Sequence, residues 1–144
     1  MSNYELLDEL QHVTEEMFRR IIHYWSNHVE KGISRSQSLV LEYLDQKGSI
    51  RATDLAEMLG ITSGGMTGLS DKLINCGYAK RTRDEDDRRV VYLEITDKGR
   101  DMLNTILQKR KEVIERVYHL LPDEDLQHLI RIYKQILSGI EAKG

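Results

Sequence analysis

The sequence contains one cysteine, one proline, one phenylalanine and one tryptophan in 144 residues, no positive net charge and no long apolar run. Each shortage excludes something. A lone Cys76 cannot close an internal disulfide, which removes the stapled secreted scaffolds and points to a reducing cytoplasm. No stretch approaches the roughly 18 apolar residues of a membrane span. The amino end Met1-Ser2-Asn3-Tyr4-Glu5 is neither cationic nor apolar, so neither insertion nor export is expected. With a single Pro to interrupt them, aliphatic residues recur at helical spacing and predict a mostly helical chain. The length suits one domain with a substantial core.

A formal net charge of −3 argues at first against a nucleic-acid partner. The distribution matters more than the sum. Between residues 35 and 100, eleven Lys and Arg face eleven Asp and Glu, so the flanks carry the excess acid. Within that neutral centre Lys80, Arg81, Arg83, Arg88 and Arg89 crowd onto one predicted hairpin. Taken alone, such a hairpin reads equally well as a solvated, mixed-charge surface.

What precedes the hairpin decides between these readings. Residues 4–30 read as a long amphipathic helix with Leu7, Leu10, Met17 and Ile21 on one face, ended by Lys31-Gly32. Ser34 and Gln37 have capping-box spacing, and the helix they open carries Leu39, Val40, Leu41 and Leu44 and stops at Lys47-Gly48. Arg51 to Leu59 predicts a short helix, Gly60-Ile61-Thr62 a turn, and Ser63 to Cys76 a second helix ended by Gly77. Counted from Ala52, Ala56 is fifth, Gly60 ninth and Met66 fifteenth. A helix-turn-helix needs a small contact residue, a backbone able to take positive φ and an apolar anchor at these three places.

Two extended segments, Ala79 to Arg83 and Arg88 to Ile95, then flank Asp84-Glu85-Asp86-Asp87, with Val91, Leu93 and Ile95 alternating with Tyr92 and Glu94. Thr96 caps a long helix whose apolar positions include Leu103, Ile106, Val113, Val117 and Leu120 at near-heptad spacing. Leu121-Pro122 breaks it, and a last helix runs to about Glu141. The expected fold is therefore mainly α with a small β-hairpin wing: a winged helix-turn-helix at about 34–100, flanked by long helices at 1–33 and 101–144. In a winged helix the second helix of the motif can lie in the major groove of DNA, and arginines at the wing tip suit the negative potential of a narrow minor groove. The flanking helices carry stripes, among them Leu103, Ile106, Val113, Ile130, Tyr133 and Ile136, that a small module would leave wet. A homodimer would bury them; the alternative is that they fold back on their own module.

The order of elements, with Asp87-x-Arg89, five intervening residues, Ile95-Thr96 and then Asp97-Lys98-Gly99, resembles the MarR family of bacterial transcription regulators over nearly the whole chain. Ile95 stands where the family pattern has Leu. The resemblance implies a homodimer that binds a pseudo-palindromic double-stranded operator, as a repressor released by a small-molecule effector. Carried over by position, it implies that Arg89 enters the minor groove with Asp87 holding its guanidinium, and that Ser63, Gly64, Thr67, Gly68 and Lys72 of the recognition helix face DNA. Ser34, Arg35, Arg51, Arg83 and Arg88 complete the implied contacts. Gly68 departs from the larger polar or basic residue common among relatives, and three glycines in one helix leave few long side chains for base readout. Backbone approach and DNA shape then carry more of the recognition. Family members bind small phenolic or other anionic effectors; Tyr24, Trp25 and Tyr43 are either core, the preferred reading, or the lining of such a pocket.

Other chemistries are weaker. Cys76 is read as a packed, inert thiol beneath the recognition helix rather than a redox sensor, because the helix carboxyl end disfavours its thiolate. His12, His23, His28, His119 and His128 lack metal-ligand spacing, so no metal and no cofactor are expected. No phosphate loop or nucleophile elbow is present, which argues against an enzyme. A winged helix that binds only protein remains as the alternative, and it would not need the arginines at the wing tip.

Overall fold

A computed structural model describes residues 1–28 and 33–141, leaving out the side chains of Asn27 and His28. The predicted helix stop at Lys31-Gly32 lies outside the described residues. In chain order the elements are α1 (Asn3–His28), α2 (Arg35–Lys47), β1 (Ile50–Arg51), α3 (Ala52–Leu59), α4 (Ser63–Asn75), β2 (Ala79–Arg83), β3 (Val91–Ile95), α5 (Asp97–Tyr118) and α6 (Asp123–Glu141). They fall into two compact units, one of residues His28–Lys109 and one of Met1–Asn27 with Arg110–Gly144.

The central unit owes its start to the capping box. The Ser34 hydroxyl accepts from Gln37 N at 3.1 Å while Gln37 Oε1 accepts from Ser34 N at 2.7 Å, which is why Gln37 is buried yet satisfied. Val40, Leu41 and Leu44 of α2 are fully buried and meet Leu55, Met66, Leu73, Leu93 and Leu103 in a single core. At this burial each leucine contributes about 2 kcal/mol of transfer free energy.

The sheet has one more strand than the expected hairpin. Arg51, read as helical, instead pairs with Tyr92, and Ile50 with Leu93, so that β3 lies between β1 and β2 with all pairs antiparallel. Ile50 is buried opposite Leu93, and that cross-strand contact holds a two-residue strand that no periodicity could announce. The wing strand also starts later than expected, at Val91 rather than Arg88. Asp84 Oδ1 takes the backbone donors of Asp86 and Asp87, Val90 N donates to Asp87 O, and Asp84 N donates to Val90 O, so residues 84–90 close as a turn.

Helix α4 ends at Asn75, where Gly77 N donates to Ile74 O and Tyr78 N to Leu73 O. This is a Schellman closure with Gly77 at φ +78, a conformation that favours glycine. Cys76, still in helical conformation just before that turn, is exposed, which corrects its reading as packed beneath the helix. Immediately after β3, the Thr96 hydroxyl donates to Gly77 O and accepts from Gly99 N, capping α5 against the end of α4.

In the outer unit Arg116 Nε donates to the Tyr24 hydroxyl at 3.1 Å, and the Arg110 guanidinium stands 5.8 Å from the Trp25 ring centre. Burial and a hydrogen bond with Tyr133 push the Tyr118 phenol above its usual range. Val113 is buried, but α6 buries no residue fully, and Leu10, Phe18, Ile22, Ile130, Ile136 and Ile140 are each about half exposed. The expected wet stripe is thus corrected in part: Leu103, Ile106 and Val113 are covered within the chain, while Ile130, Tyr133 and Ile136 are exposed. No described helix is long and apolar enough to cross a membrane.

Candidate nucleic-acid interface

Helix α3 stops because Gly60 takes the left-handed conformation, at φ +67, and donates back to Ala56 O and Glu57 O. Thr62 then caps α4, its hydroxyl accepting from Gly65 N at 3.1 Å. Ala56 and Met66 are buried between the two helices, as the fifth and fifteenth positions require, and with Ser70 and Leu73 they fix which face of α4 points inward. Ser63, Gly64, Thr67, Gly68 and Lys72 are left exposed.

The glycines on that exposed face have no packing role. A Cβ added at Gly64 or Gly68 would meet nothing within 4 Å, so the bare backbone there answers to no neighbour inside the protein. Thr67 donates its hydroxyl to Ser63 O, which leaves the oxygen lone pairs outward.

Beside this face the wing supplies charge. Arg51, Arg81, Arg83 and Arg89, with Thr53, Ser63 and Thr67, line a hollow of about 380 Å³ between α3, α4 and the wing. Four arginines line this concavity, of which Arg81 and Arg89 are paired with Asp71 and Asp87, so a local basic character survives that the acidic total of the chain conceals. At the tip, Arg89 donates from Nε to Asp87 Oδ1 at 3.1 Å and from Nη2 to Oδ2 at 3.3 Å, and its backbone N also reaches Oδ1. The Arg89 side chain is 92% exposed, so the pair holds its orientation without burying it. The side-chain and backbone hydrogen bonds from Arg89, followed by the charge of Arg51, hold the Asp87 carboxyl below the usual carboxylate range.

The remaining sequence-predicted residues fall in different places. Arg83 Nη1 donates to Arg88 O at 2.9 Å, which braces the turn, while both residues are exposed. Ser34 spends its hydroxyl on the α2 cap, and Arg35 is exposed beside it. Arg81 lines the hollow although only its membership of the basic hairpin marked it in sequence. Of the three aromatics, Tyr43 packs against the central core, whereas Tyr24 lines a separate hollow of about 480 Å³ in the outer unit with Val13, Met17, Ile21, Arg20 and Arg116. Trp25 lies under Arg110 and outside that lining.

Three comparisons bear on what this architecture is. The MarR family model matches residues 33–91, from the α2 cap to the start of β3. An HTH-type transcriptional regulator of Bacillus subtilis, YkoM, is 33% identical over 79% of this chain and 73% of its own length. The HTH-type transcriptional repressor MdtR of the same organism is 26% identical over 95% of this chain and 89% of its own. Among solved structures, the YusO protein of Bacillus subtilis superposes with a TM-score of 0.82 at 26% identity, covering 96% of this chain and 99% of that one. With its helix-turn-helix, its wing and the Asp87–Arg89 pair at the wing tip, the chain belongs to the MarR family of transcriptional regulators.

Proposed function

We propose that this regulator acts as a repressor, binding a pseudo-palindromic operator as a homodimer and leaving it when a small effector binds. The observation that carries the DNA contact is the arginine-lined hollow between α4 and the wing, with Arg89 aimed outward by Asp87. In this reading α4 enters the major groove through Ser63, Gly64, Thr67, Gly68 and Lys72, and Arg89 enters the flanking minor groove. Arg51, Arg83, Arg88, Arg35 and Ser34 meet the backbone of the duplex. Residues 34–100 are the DNA-binding module. The dimer contact is made by the terminal helices, whose exposed Ile130, Ile136 and Ile140 call for a covering partner. That MdtR is named a repressor supports the sign of regulation.

The outer hollow supports an effector of small phenolic or otherwise anionic character. It is lined by Val13, Met17, Ile21 and Val117 together with Tyr24, Arg116 and the ion pair of Arg20 with Glu16. An apolar lining with Arg116 and the Tyr24 hydroxyl beside it suits a small aromatic ligand with an anionic or phenolic group. One experiment joins these parts. Light scattering should give the mass of two chains at micromolar concentration, a gel shift on the upstream region should show one such dimer per site, and a hydroxybenzoate should release it. A monomer with intact helical circular dichroism would remove the palindromic operator, and failure to shift any duplex would favour a wing that binds only protein.

A second reading rests on the exposure of Cys76 at the end of α4. In a redox-responsive member, peroxide would release operator from the parent protein and not from Cys76→Ser. On the effector reading, peroxide leaves both bound alike. Among the described residues no three His, Cys, Asp or Glu side chains cluster as a metal site would need.

A further inference from the structure

Asp71 lies on the recognition helix, one turn beyond Thr67, and carries a charge that repels phosphate. Its carboxylate accepts a 2.8 Å hydrogen bond from Arg81 Nη2 in mid-β2. Among the described residues this is the only ion pair joining α4 to the wing. The other charged contacts of the wing stay within it, Lys80 with Glu94 and Arg89 with Asp87.

The sheet register explains why Arg81 reaches across. Directly paired residues of an antiparallel pair share a face, and Arg81 pairs with the buried Leu93. Arg81 is thus one of two arginines, with Arg83, on the face of β2 that Leu93 shares, and only 33% of its side chain is exposed, against 92% for Arg89. Its neighbours on that face are Ala79, which is core, and Arg83, which braces the turn.

We infer that Asp71 is a positioning residue for operator recognition: by holding Arg81 it fixes the wing relative to α4, so that helix and wing meet adjacent grooves at one spacing. The inference rests on the proposed reading of α4 and the wing as DNA contacts. Apart from the pair, β2 is joined to α4 at its base through the Tyr78 N to Leu73 O bond and the packing of Ala79 in the shared core. Ordering the two reading elements before DNA arrives spares the complex that entropy.

Asp71→Asn separates positioning from simple charge, because the two predict opposite signs. If Asp71 acts only as a negative charge, its loss tightens operator and random duplex alike, and frees Arg81 to meet phosphate. If it positions, operator binding weakens by about two- to fivefold, the range of a surface ion pair, while random duplex binds as well or better. The ratio of the two affinities then falls. Asp71→Glu, which keeps the charge, should restore part of that ratio. In the DNA-free protein the Arg81 guanidinium N–H signals should be distinct in the NMR spectrum of the parent and averaged in Asp71→Asn. Equal tightening on both duplexes, an unchanged ratio, or averaged Arg81 signals in the parent would overturn the inference. Measuring Arg89→Ala on the same duplexes distinguishes its failure from that of the DNA reading. If Arg89→Ala weakens operator binding while Asp71→Asn tightens it, only the positioning role falls; if Arg89→Ala binds as the parent does, the DNA reading falls and takes that role with it.

Discussion

Gly99→Ala should destabilise the protein by about 3 kcal/mol or more and lower its melting temperature by roughly 10 °C, although alanine is the better helix former. A Cβ at residue 99 would lie 2.0 Å from Tyr78 O and 2.8 Å from Ile95 Cγ1. No rotamer relieves this, because the Cβ is fixed by the backbone and its closest obstacle is a carbonyl. That carbonyl cannot retreat either: Tyr78 O accepts from Thr96 N, and the Thr96 hydroxyl ties Gly77 O to Gly99 N. The first turn of α5 is seated on the junction of α4 and β2, and the glycine of the Asp97-Lys98-Gly99 motif is what lets it sit there. Gly68→Ala is the internal control. The residue is equally helical, but its added Cβ meets nothing within 4 Å, so stability should rise by about 1 kcal/mol. Thermal unfolding of the two variants side by side checks the pair. A Gly99→Ala protein that melts with the parent would show that α5 is not seated on Tyr78.

Local signals reported local structure well. Ser34-x-x-Gln37 is the capping box it resembles, Gly60 takes the left-handed turn, and Leu93 and Ile95 alternate inward with Tyr92 and Glu94 outward of them. The Asp87–Arg89 contact came from the family resemblance, carried over by position, and the structure shows the pair at the turn. What pattern alone could not supply was the identity of the covering partner. Leu103, Ile106, Ile130 and Ile136 have the same periodicity, yet the first two are buried within the chain and the last two are half exposed. Cys76 lies at the margin of the face that Met66, Ser70 and Leu73 bury, and at the exposed C-cap of the helix it is not packed as its sequence position suggests. The two-residue β1 is too short to show a period. The Asp71–Arg81 pair links residues ten apart on different elements, and only the register of β2 against β3 brings them together.

Arg89→Ala should weaken operator binding by about ten- to a hundredfold while leaving the melting temperature unchanged. The two halves of this expectation have separate causes. An ion pair exposed on both sides contributes little to folding, so truncating Arg89 costs no measurable stability. For binding, the bidentate contact with Asp87 has already fixed the plane of the guanidinium at the wing tip, so the side chain reaches a narrow minor groove with little rotamer entropy left to lose. Each wing then contributes one charge, and a dimer lacking both should show a slope of log K against log salt flatter by about 1.8, at roughly 0.9 per charge. Lys47→Ala, at the exposed end of α2, removes the same formal charge from a site with no groove to enter and should cost far less. Asp87→Ala distinguishes positioning from charge: affinity should fall by less than in Arg89→Ala, and the salt slope should stay that of the parent. The pH dependence has a definite sign. Because Arg89 holds the Asp87 carboxyl below its ordinary value, the pair is intact at neutral pH and is lost only as pH falls through that lowered value. Between about pH 6 and 8 its contribution to DNA affinity should therefore be flat. Fluorescence anisotropy on an operator whose half-sites lie about 10 base pairs apart measures all four proteins. Equal affinities for the parent and Arg89→Ala at physiological salt would show that the hairpin does not read DNA.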